Sequence, residues 1–446
     1  MQPNSTRRSG HAGLSSANCR RVCALGVASG LTVVALPDGA RAQDTPSAQA
    51  AAPSNPWTDT IAISRLYGGM EYLGWWVKGA PLAVPLVSTG PISTTHHGWL
   101  SSPDSTILYG ASHAPAQGGN DTQSFPIFSG TRLTVGYDLD AARRYAVEFS
   151  GFALQSRTAG FDIQGNQDGL PIINIPVYNT TPYTPGGRPG GLPPAEDGLP
   201  AALPSDPDRF DSNAGVFTGR VKITNSLQLW GASLTGVANL YRTPSWEVSG
   251  LAGFRFLRLA ENFNLFYQSI GISGVYAGEY GTASDTFGTQ NRFYGSLLGV
   301  RGRYSFGRMF VEASGSVAFG ACNETLNVNG GFTSINFQQP TRTGPEGVFA
   351  QPANEGTFSS VHFAVVPEVA LKIGYDVTPS VRVTVGYDFL YDSSVIRPTD
   401  QIDRNIPKGQ TFLQGGSTVS TTSPTKIFRT TDFYAQGISV GVAFRF

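Results

Sequence analysis

Apolar and polar residues alternate along much of the chain, and the alternation is clearest over residues 380–391. The odd-numbered positions from Val381 to Tyr391 are all aliphatic or aromatic, whereas the even-numbered positions between them include Arg382 and Asp388. Because successive side chains of a strand point to opposite faces, a period of two predicts a β-strand with one apolar and one polar face. Similar alternation recurs in other segments, without a helical period of useful length. The sequence therefore predicts an all-β chain.

The predicted strands are joined alternately by short and long connections. Short turns join residues 131–139 to 144–154, 227–241 to 245–259, 293–306 to 309–320, and 363–376 to 380–391. Long connections lie at residues 155–226, 260–292, 321–362 and 392–432. A first strand near 66–78 and a last strand at 433–446 bring the total to ten. Alternating turn lengths and an even strand number are typical of bacterial outer-membrane barrels. We predict a closed antiparallel transmembrane β-barrel with short periplasmic turns and long external loops.

Three structural alternatives stay open at this stage. The barrel has twelve strands if residues 262–272 or 325–337 add a hairpin. The Pro/Gly-rich stretch at about 160–215 is either an exposed loop, which we favour, or a plug in the barrel mouth. A soluble secreted β-sandwich or lectin is the alternative fold.

The last predicted strand has an apolar outer face and ends on an aromatic residue. Such a strand suits a barrel wall in lipid, and closure with the first strand would remove its free edge. It resembles the C-terminal assembly signal of outer-membrane barrels, so we expect barrel-assembly machinery and outer-membrane lipid as partners. The residues expected to carry this signal are Tyr434, Ile438, Val440, Val442, Phe444 and Phe446.

Composition and the first residues of the chain support export. Only 14% of residues are charged, against the ~25% usual for soluble domains, and 31 basic residues balance 31 acidic ones. That balance makes nucleic acid an unexpected partner. Arginines precede an apolar run at residues 23–36, and Ala40-Arg41-Ala42 fits a cleavage site. We predict a signal peptide at residues 1–42, a disordered linker at 43–60 and an outer-membrane barrel at 61–446. Whether export uses the general or the twin-arginine pathway stays open.

Five stretches of the chain carry a family resemblance: residues 71–79, 130–137, 290–295, 363–369 and 397–404. They resemble a planctomycete outer-membrane β-barrel family that was first recorded as a domain of unknown function. The likeness runs from about Glu71 to Phe446. It implies an outer-membrane barrel, and it carries no assigned activity, substrate or catalytic residue.

Charged residues on the predicted inner strand faces are the most concrete candidates for a functional site. We interpret them either as an internal ion-pair network that rigidifies the wall or as the lining of a narrow pore. A barrel of about eight strands is just filled by side chains, so ten to twelve strands favour the network. The predicted lumen-lining residues are Arg132, Glu148, Glu247, Arg255, Arg301, Arg303, Glu312, Glu368, Lys372, Arg382 and Asp388.

Catalytic and metal-binding motifs are weak by comparison. Ser112-His113 resembles a nucleophile elbow only loosely. The pair His96-His97 lacks a second set of ligands, and Asp400 with Asp403 lacks the Gly and Glu of a calcium loop. After signal cleavage Cys322 is the single cysteine, so no intramolecular disulfide is expected. We expect no enzymatic activity, no cofactor and no metal.

The predicted function is a structural or porin-like role, with passive passage of small solutes through a narrow charge-lined lumen. One alternative is a surface-recognition barrel that binds an unidentified glycan or protein through its external loops. A second alternative is a barrel-borne lipid hydrolase that would use Ser112 and His113.

Overall fold

A computed structural model describes residues 65–92, 98–100, 102–112, 117–179, 215–336, 339–406 and 422–446. The predicted signal peptide and linker lie outside these residues, as do His96, His97 and His113. Within the described part of the chain, no helix is long and apolar enough to cross a membrane. The regular structure there is β-strand, with short 3₁₀ turns at Gly274–Tyr276 and Pro398–Gln401.

Ten antiparallel strands form a closed ring. Each strand pairs with its neighbours along the chain, and β1 pairs with β10 to complete the ring. Closure runs from the pair Tyr67–Arg445 to the pair Val77–Ala435. The all-β barrel prediction is therefore confirmed. The strands are β1 (Leu66–Val77), β2 (Phe128–Asp138), β3 (Tyr145–Leu154), β4 (Phe217–Arg242), β5 (Trp246–Gly271), β6 (Tyr280–Phe306), β7 (Met309–Asn336), β8 (Gly356–Thr378), β9 (Val381–Ile396) and β10 (Thr430–Arg445).

Four consecutive strands, β4 to β7, are much longer than predicted. Each has 26 to 28 residues, whereas a strand that only crosses a bilayer needs ~9–11. Residues 262–271 and 325–336 belong to β5 and β7 rather than adding a hairpin, so the twelve-strand alternative is wrong. Most of the long connections predicted at 260–292 and 321–362 are likewise strand.

The two faces of these long strands exchange character part of the way along. In the lower half of β5, Trp246, Phe254 and Phe256 point outward while Glu247 and Arg255 point inward. Above Leu257 the outward positions include asparagine and glutamine, and the inward ones are largely apolar. The inward residues Phe263, Leu265 and Tyr267 are fully buried. We predicted β5 too short because its outward positions stop being apolar above Leu257, and the prediction relied on an apolar outward face.

The exchange defines an outward apolar band between two rows of aromatic side chains. At the short-turn end the rings of Trp246 and Tyr304 lie 4.8 Å apart. At the other border Phe256 lies between Trp230 and Tyr294, at 4.8 and 5.0 Å. Trp246 and Phe256 are ten residues apart on β5. Ten residues at ~3.3 Å each, tilted by ~40°, rise about 25 Å, the height of the lipid-facing band of bacterial barrels.

Connecting segments fold against the inward faces of the long strands and form an apolar loop core above the band. Residues 172–177 contribute Ile173, Ile175 and Val177, all fully buried. Leu82 and Leu86 come from the connection between β1 and β2, and further members come from the connections after β7 and β9. Within the described part of the Pro/Gly-rich stretch, residues 172–177 thus pack inward, whereas residues 166–168 are exposed. Residues 157–164 form a strand that pairs with β4. Residues 180–214 lie outside the described part.

Asp285 fastens one of these segments to the wall. Its buried carboxylate on β6 accepts backbone N–H groups of Val348, Phe349 and Ala350, at 3.2, 2.9 and 2.7 Å. These donors would otherwise be buried without partners, which costs free energy comparable to a lost hydrogen bond. The carboxylate therefore holds the segment that contributes Val348, Phe349 and Ala350 to the loop core.

We predict that a charged residue on the outward face of β8 destabilises the barrel by an amount that depends on its depth in the apolar band. Leu371 lies in the middle of the apolar band, and Val377 lies near the short-turn end of the same face. Leu371→Arg should lower the free energy of unfolding by ~2–4 kcal/mol, and Val377→Arg by about 0–1 kcal/mol. Urea unfolding in lipid vesicles measures both. Equal costs would contradict the location of the band.

We predict that Asp285→Asn loosens the segment after β7. The amide side chain offers one acceptor where the carboxylate served three donors, a loss of about 1–3 kcal/mol. Hydrogen exchange at the amides of 348–350 should accelerate, while exchange in the paired strands β1 and β10 stays unchanged. Asp168→Asn, at an exposed position, is the matched control. Unchanged exchange at 348–350 would show that Asp285 does not hold the segment.

Candidate functional site: the barrel lumen

The barrel interior has three levels along its axis. A charged cavity lies at the short-turn end, an apolar layer crosses the barrel above it, and the loop core lies above that layer. All ten strands contribute to the apolar layer. Its members are Leu73, Trp75, Phe128, Leu154, Leu227, Leu229, Leu257, Leu259, Phe293, Leu297, Ala318, Cys322, Ala364, Val366, Leu390, Val395, Phe433 and Ala435.

Trp75 is the largest side chain of the apolar layer and is fully buried. Its neighbour across the closing strand pair is Gly437. A Cβ at Gly437 would lie 2.6 Å from the Trp75 Cα and 2.8 Å from its Cδ1, so only glycine allows this approach. The side chains of the layer are thus complementary in shape as well as apolar.

The cavity beneath the layer has a volume of about 460 Å³ and reaches the short turns. Its lining includes Arg143 and Ser380 at the turns and Arg132 and Glu368 next to the apolar layer. In outer-membrane barrels the short turns face the periplasm. The cavity is therefore a cup whose mouth lies on the periplasmic side.

A buried group of six charged residues forms the top of the cup, and we call it the ionic roof. It consists of Glu71, Arg132, Arg255, Glu368, Lys372 and Asp388. Arg132 is central: its guanidinium donates to Asp388 at 2.8 Å and to Glu71 at 3.0 Å, and it lies 3.5 Å from Glu368. It also lies over the Trp75 ring, with Cζ 5.5 Å from the centroid. Arg255 pairs with Glu368, and Lys372 pairs with Glu71.

Two further ion pairs lie below the roof: Arg301–Glu148 crosses the cup, and Arg303–Glu312 joins the adjacent strands β6 and β7. Arg301 donates twice to Glu148, at 2.7 and 3.0 Å, and Arg303 donates to Glu312 at 2.5 and 3.0 Å. The Tyr67 hydroxyl donates to Glu148 at 3.3 Å. Bidentate guanidinium–carboxylate pairs fix both partners in orientation as well as in position. The Arg301–Glu148 pair, which uses both carboxylate oxygens, therefore restricts the width of the cup.

Arginine side chains crowd the mouth of the cup. Arg382 bonds Asp376 at 2.6 Å and lies over Phe310. Arg242 pairs with Glu247 at 2.6 Å. In the turn between β2 and β3, Arg144 pairs with Asp140 at 2.9 Å. The backbone N–H of Tyr145 and the Arg144 side chain lower the pKa of the Asp140 carboxyl to about 2, so this pair stays charged near neutral pH.

The sequence-predicted lumen residues come together in this cup. Ten of the eleven line the cavity, and Asp388 contacts Arg132 in the roof. Seven charged lining residues were not in the predicted set: Glu71, Asp138, Arg143, Arg144, Arg242, Asp376 and Arg445. Asp138 and Arg445 lie on the polar faces of their predicted strands. Glu71 is the single charged residue of β1, which was the signal that could have found it.

The other sequence candidates lie elsewhere. Ser112 follows the strand Thr106–Gly110, while His113 is outside the described residues. Asp403 accepts hydrogen bonds from Asn405 and Thr425, which gives it a role in holding loops. Cys322 is a buried free thiol of the apolar layer. Within the described residues, no group of three or more His, Cys, Asp or Glu could hold a metal ion.

Sequence reasoning also missed contacts outside the cup, among them that of Glu324 with His362. Glu324 on β7 is fully buried, and its carboxylate lies 2.6 Å from His362 Nδ1 on β8 and accepts a hydrogen bond from the Ser394 hydroxyl at 3.3 Å. The two strands place these residues in adjacent registers above the apolar layer. Nothing in the spacing of positions 324, 362 and 394 indicates this contact, because it depends on strand pairing.

A closed ring of antiparallel strands with an apolar outer band and a polar cup inside defines an outer-membrane β-barrel protein. The family model described as "Putative beta barrel porin-7 (BBP7)" matches residues 67–446. The chain belongs to that family. No curated protein matches the sequence significantly.

Three solved structures resemble this chain at a distance. The outer membrane protease OmpT from Escherichia coli aligns with a TM-score of 0.38 and 11% identity, covering 87% of this chain and 99% of that one. A loop deletion mutant of OmpT, an outer membrane protein of Vibrio cholerae, has a TM-score of 0.16 and 8% identity, with coverages of 85% and 97%. The P. putida toluene transporter TodX has a TM-score of 0.15 and 10% identity, with coverages of 85% and 89%. At these values none bears on the activity of this chain.

We predict that Arg132→Met strongly destabilises the barrel. The change leaves Glu71, Glu368 and Asp388 with two cations instead of three in a buried setting, and breaking a buried ion pair typically costs ~3–5 kcal/mol. Urea unfolding in lipid vesicles measures the loss. Arg144→Ala is the control, since the exposed pair that it breaks should contribute little. Equal effects of the two changes would contradict a central role for Arg132.

Proposed function

We propose that the protein is a closed structural barrel of the outer membrane, whose lumen does not conduct in the state described. The observation that carries this proposal is the apolar layer, to which every strand of the ring contributes buried side chains. Moving an ion through an apolar environment without compensating partners is very costly. The porin-like role, passive passage of small solutes, would require this layer and the loop core above it to move apart.

The ion pairs below the layer support a structural role. The charges of the ionic roof come from β1, β2, β5, β8 and β9, so these contacts connect strands on different sides of the ring. A half-satisfied network would be worse than an apolar core, whereas a satisfied one rigidifies the interior. This role needs no catalysis, and we infer that the protein is not an enzyme.

Single-channel recording in a planar bilayer tests the closed lumen. The protein purified from membranes should insert and give no stable ohmic steps. Folding is checked in the same sample by the difference in gel migration between unheated and heated protein. Stable ohmic steps from folded protein would overturn the proposal and make the porin-like role the better one.

Surface recognition is the second candidate, and the tall wall favours it. Strands β4 to β7 continue beyond the apolar band, and the loop core packs against their inner faces. A packed core beneath external loops would hold a binding surface in one shape. A glycan array probed with the purified protein tests this candidate, and reproducible binding to one glycan class would support it. Uniform absence of binding would leave only a protein ligand.

We infer that the last strand also directs assembly and that residues 1–42 direct export. Ile438, Val440, Val442, Phe444 and Phe446 are all exposed on the outer face, where other proteins can contact them before insertion. Deletion of Phe446 should reduce the amount of folded barrel in outer membranes of living cells without preventing secretion. N-terminal sequencing of the mature protein should begin at Gln43.

A further inference from the structure

The charges inside the cup balance almost completely. In the ionic roof three basic residues face three acidic ones. Below it, basic and acidic side chains pair one to one, as in Arg301–Glu148 and Arg382–Asp376. The other one-to-one pairs are Arg303–Glu312, Arg242–Glu247 and Arg144–Asp140. Among the described cavity-lining residues the exception is Asp138, which two arginines share.

Asp138 lies between Arg143 and Arg445 at the mouth of the cup. Its Oδ2 is 3.5 Å from Arg143 Nε and 3.4 Å from Arg445 Nη2, longer than the other pairs at the mouth. The Asp138 side chain is only 7% exposed, whereas those of Arg143 and Arg445 are 42% and 41% exposed. One positive charge is therefore unbalanced, and both guanidinium groups are open to the cavity that they line.

The backbone holds Arg143 at this place in an unusual conformation. Its φ of +54° lies in the left-handed region, and it is the only residue other than glycine with positive φ in the described part of the chain. That position of a hairpin turn normally favours glycine or asparagine. The turn is firmly bonded: Arg143 N–H donates to the Asp140 carbonyl, and the Asp140 carboxylate accepts from Arg144 and Tyr145 N–H. Such strain is concentrated at functional sites in proteins.

Arg445 is also held from the other side of the site. It lies in the last strand, opposite Tyr67 of β1, and its guanidinium lies over the Tyr67 ring at 5.5 Å. Two arginines are thus positioned on either side of one carboxylate. Guanidinium groups match carboxylate and phosphate oxygens in geometry and charge.

We propose that Arg143 and Arg445 form a binding site for one oxyanion, a carboxylate or a phosphate group, of a small periplasmic solute. The cavity volume of about 460 Å³ falls within the ~300–1,000 Å³ of small-molecule sites. The oxyanion binds at the mouth of the cup, where it neutralises the unbalanced charge. The rest of the solute extends into the cup. Binding does not depend on whether the lumen conducts.

Calorimetric titration of the purified protein in nonionic detergent tests the site, with inorganic phosphate and acetate as separate probes and chloride as the control anion. At least one oxyanion should bind saturably with one site. Arg143→Gly should weaken that binding about tenfold or more, because a charge-assisted contact is lost. This change suits the left-handed turn, so the barrel should still fold. Arg144→Ala is the matched control and should bind as the unchanged protein does.

Asp138→Asn supplies a test of opposite sign. Removing the shared carboxylate leaves two arginines without a competing anion, so oxyanion affinity should rise. Saturation by phosphate alone indicates a phosphate-bearing solute, and saturation by acetate alone indicates a carboxylate; either supports the site. Failure of both probes to saturate overturns it. Equal weakening by Arg143→Gly and Arg144→Ala also overturns it, because that result means diffuse attraction to the basic mouth.

Discussion

The hydrogen bonds between the first and last strands are the constraint on which the rest of the structure depends. Lipid offers no partner for backbone N–H and C=O groups, so a sheet can cross a bilayer only if it has no free edge. The pairing of β1 with β10 meets that condition with ten strands. A ring of this size is too narrow for a wide aqueous channel, and large side chains such as Trp75 can span much of it. Closure in lipid thus leads directly to a filled interior.

The outer faces of the same strands meet lipid along one part of their length and water along another. Within the lipid band they place apolar residues outside and charges inside, and beyond it they place polar residues outside and apolar residues inside. The apolar layer and the loop core occupy the region where the inward face becomes apolar. Each long strand belongs to both regions, so the part of the sheet above the membrane is held in place by the part within it. The loops that pack against the upper part cover the barrel.

Much of the fold was predictable because alternation is a local property. The strands at 66–78, 144–154 and 380–391 were predicted to within a few residues at most termini. The inward direction of the lumen charges followed from their positions, because alternate residues of a strand lie on opposite faces. The lengths of β5 and β7 were not, since the simple rule of an apolar outer face ends near Phe256. Contacts across the ring were also beyond sequence reasoning. Arg132 and Asp388 are 256 positions apart, and only the closed ring brings them together.

The apolar layer also acts as an electrical insulator. The ion pairs and the water-accessible space of the cup lie below it, so the cup shares the electrical potential of the short-turn side. Any potential difference between the two faces of the membrane falls mainly across the layer and the packed loops above it. A charge responds to a membrane potential only if it can move through the field, at ~2.3 kcal/mol per charge per 100 mV. The ion pairs of the cup lie outside that field, and the membrane potential exerts almost no force on them.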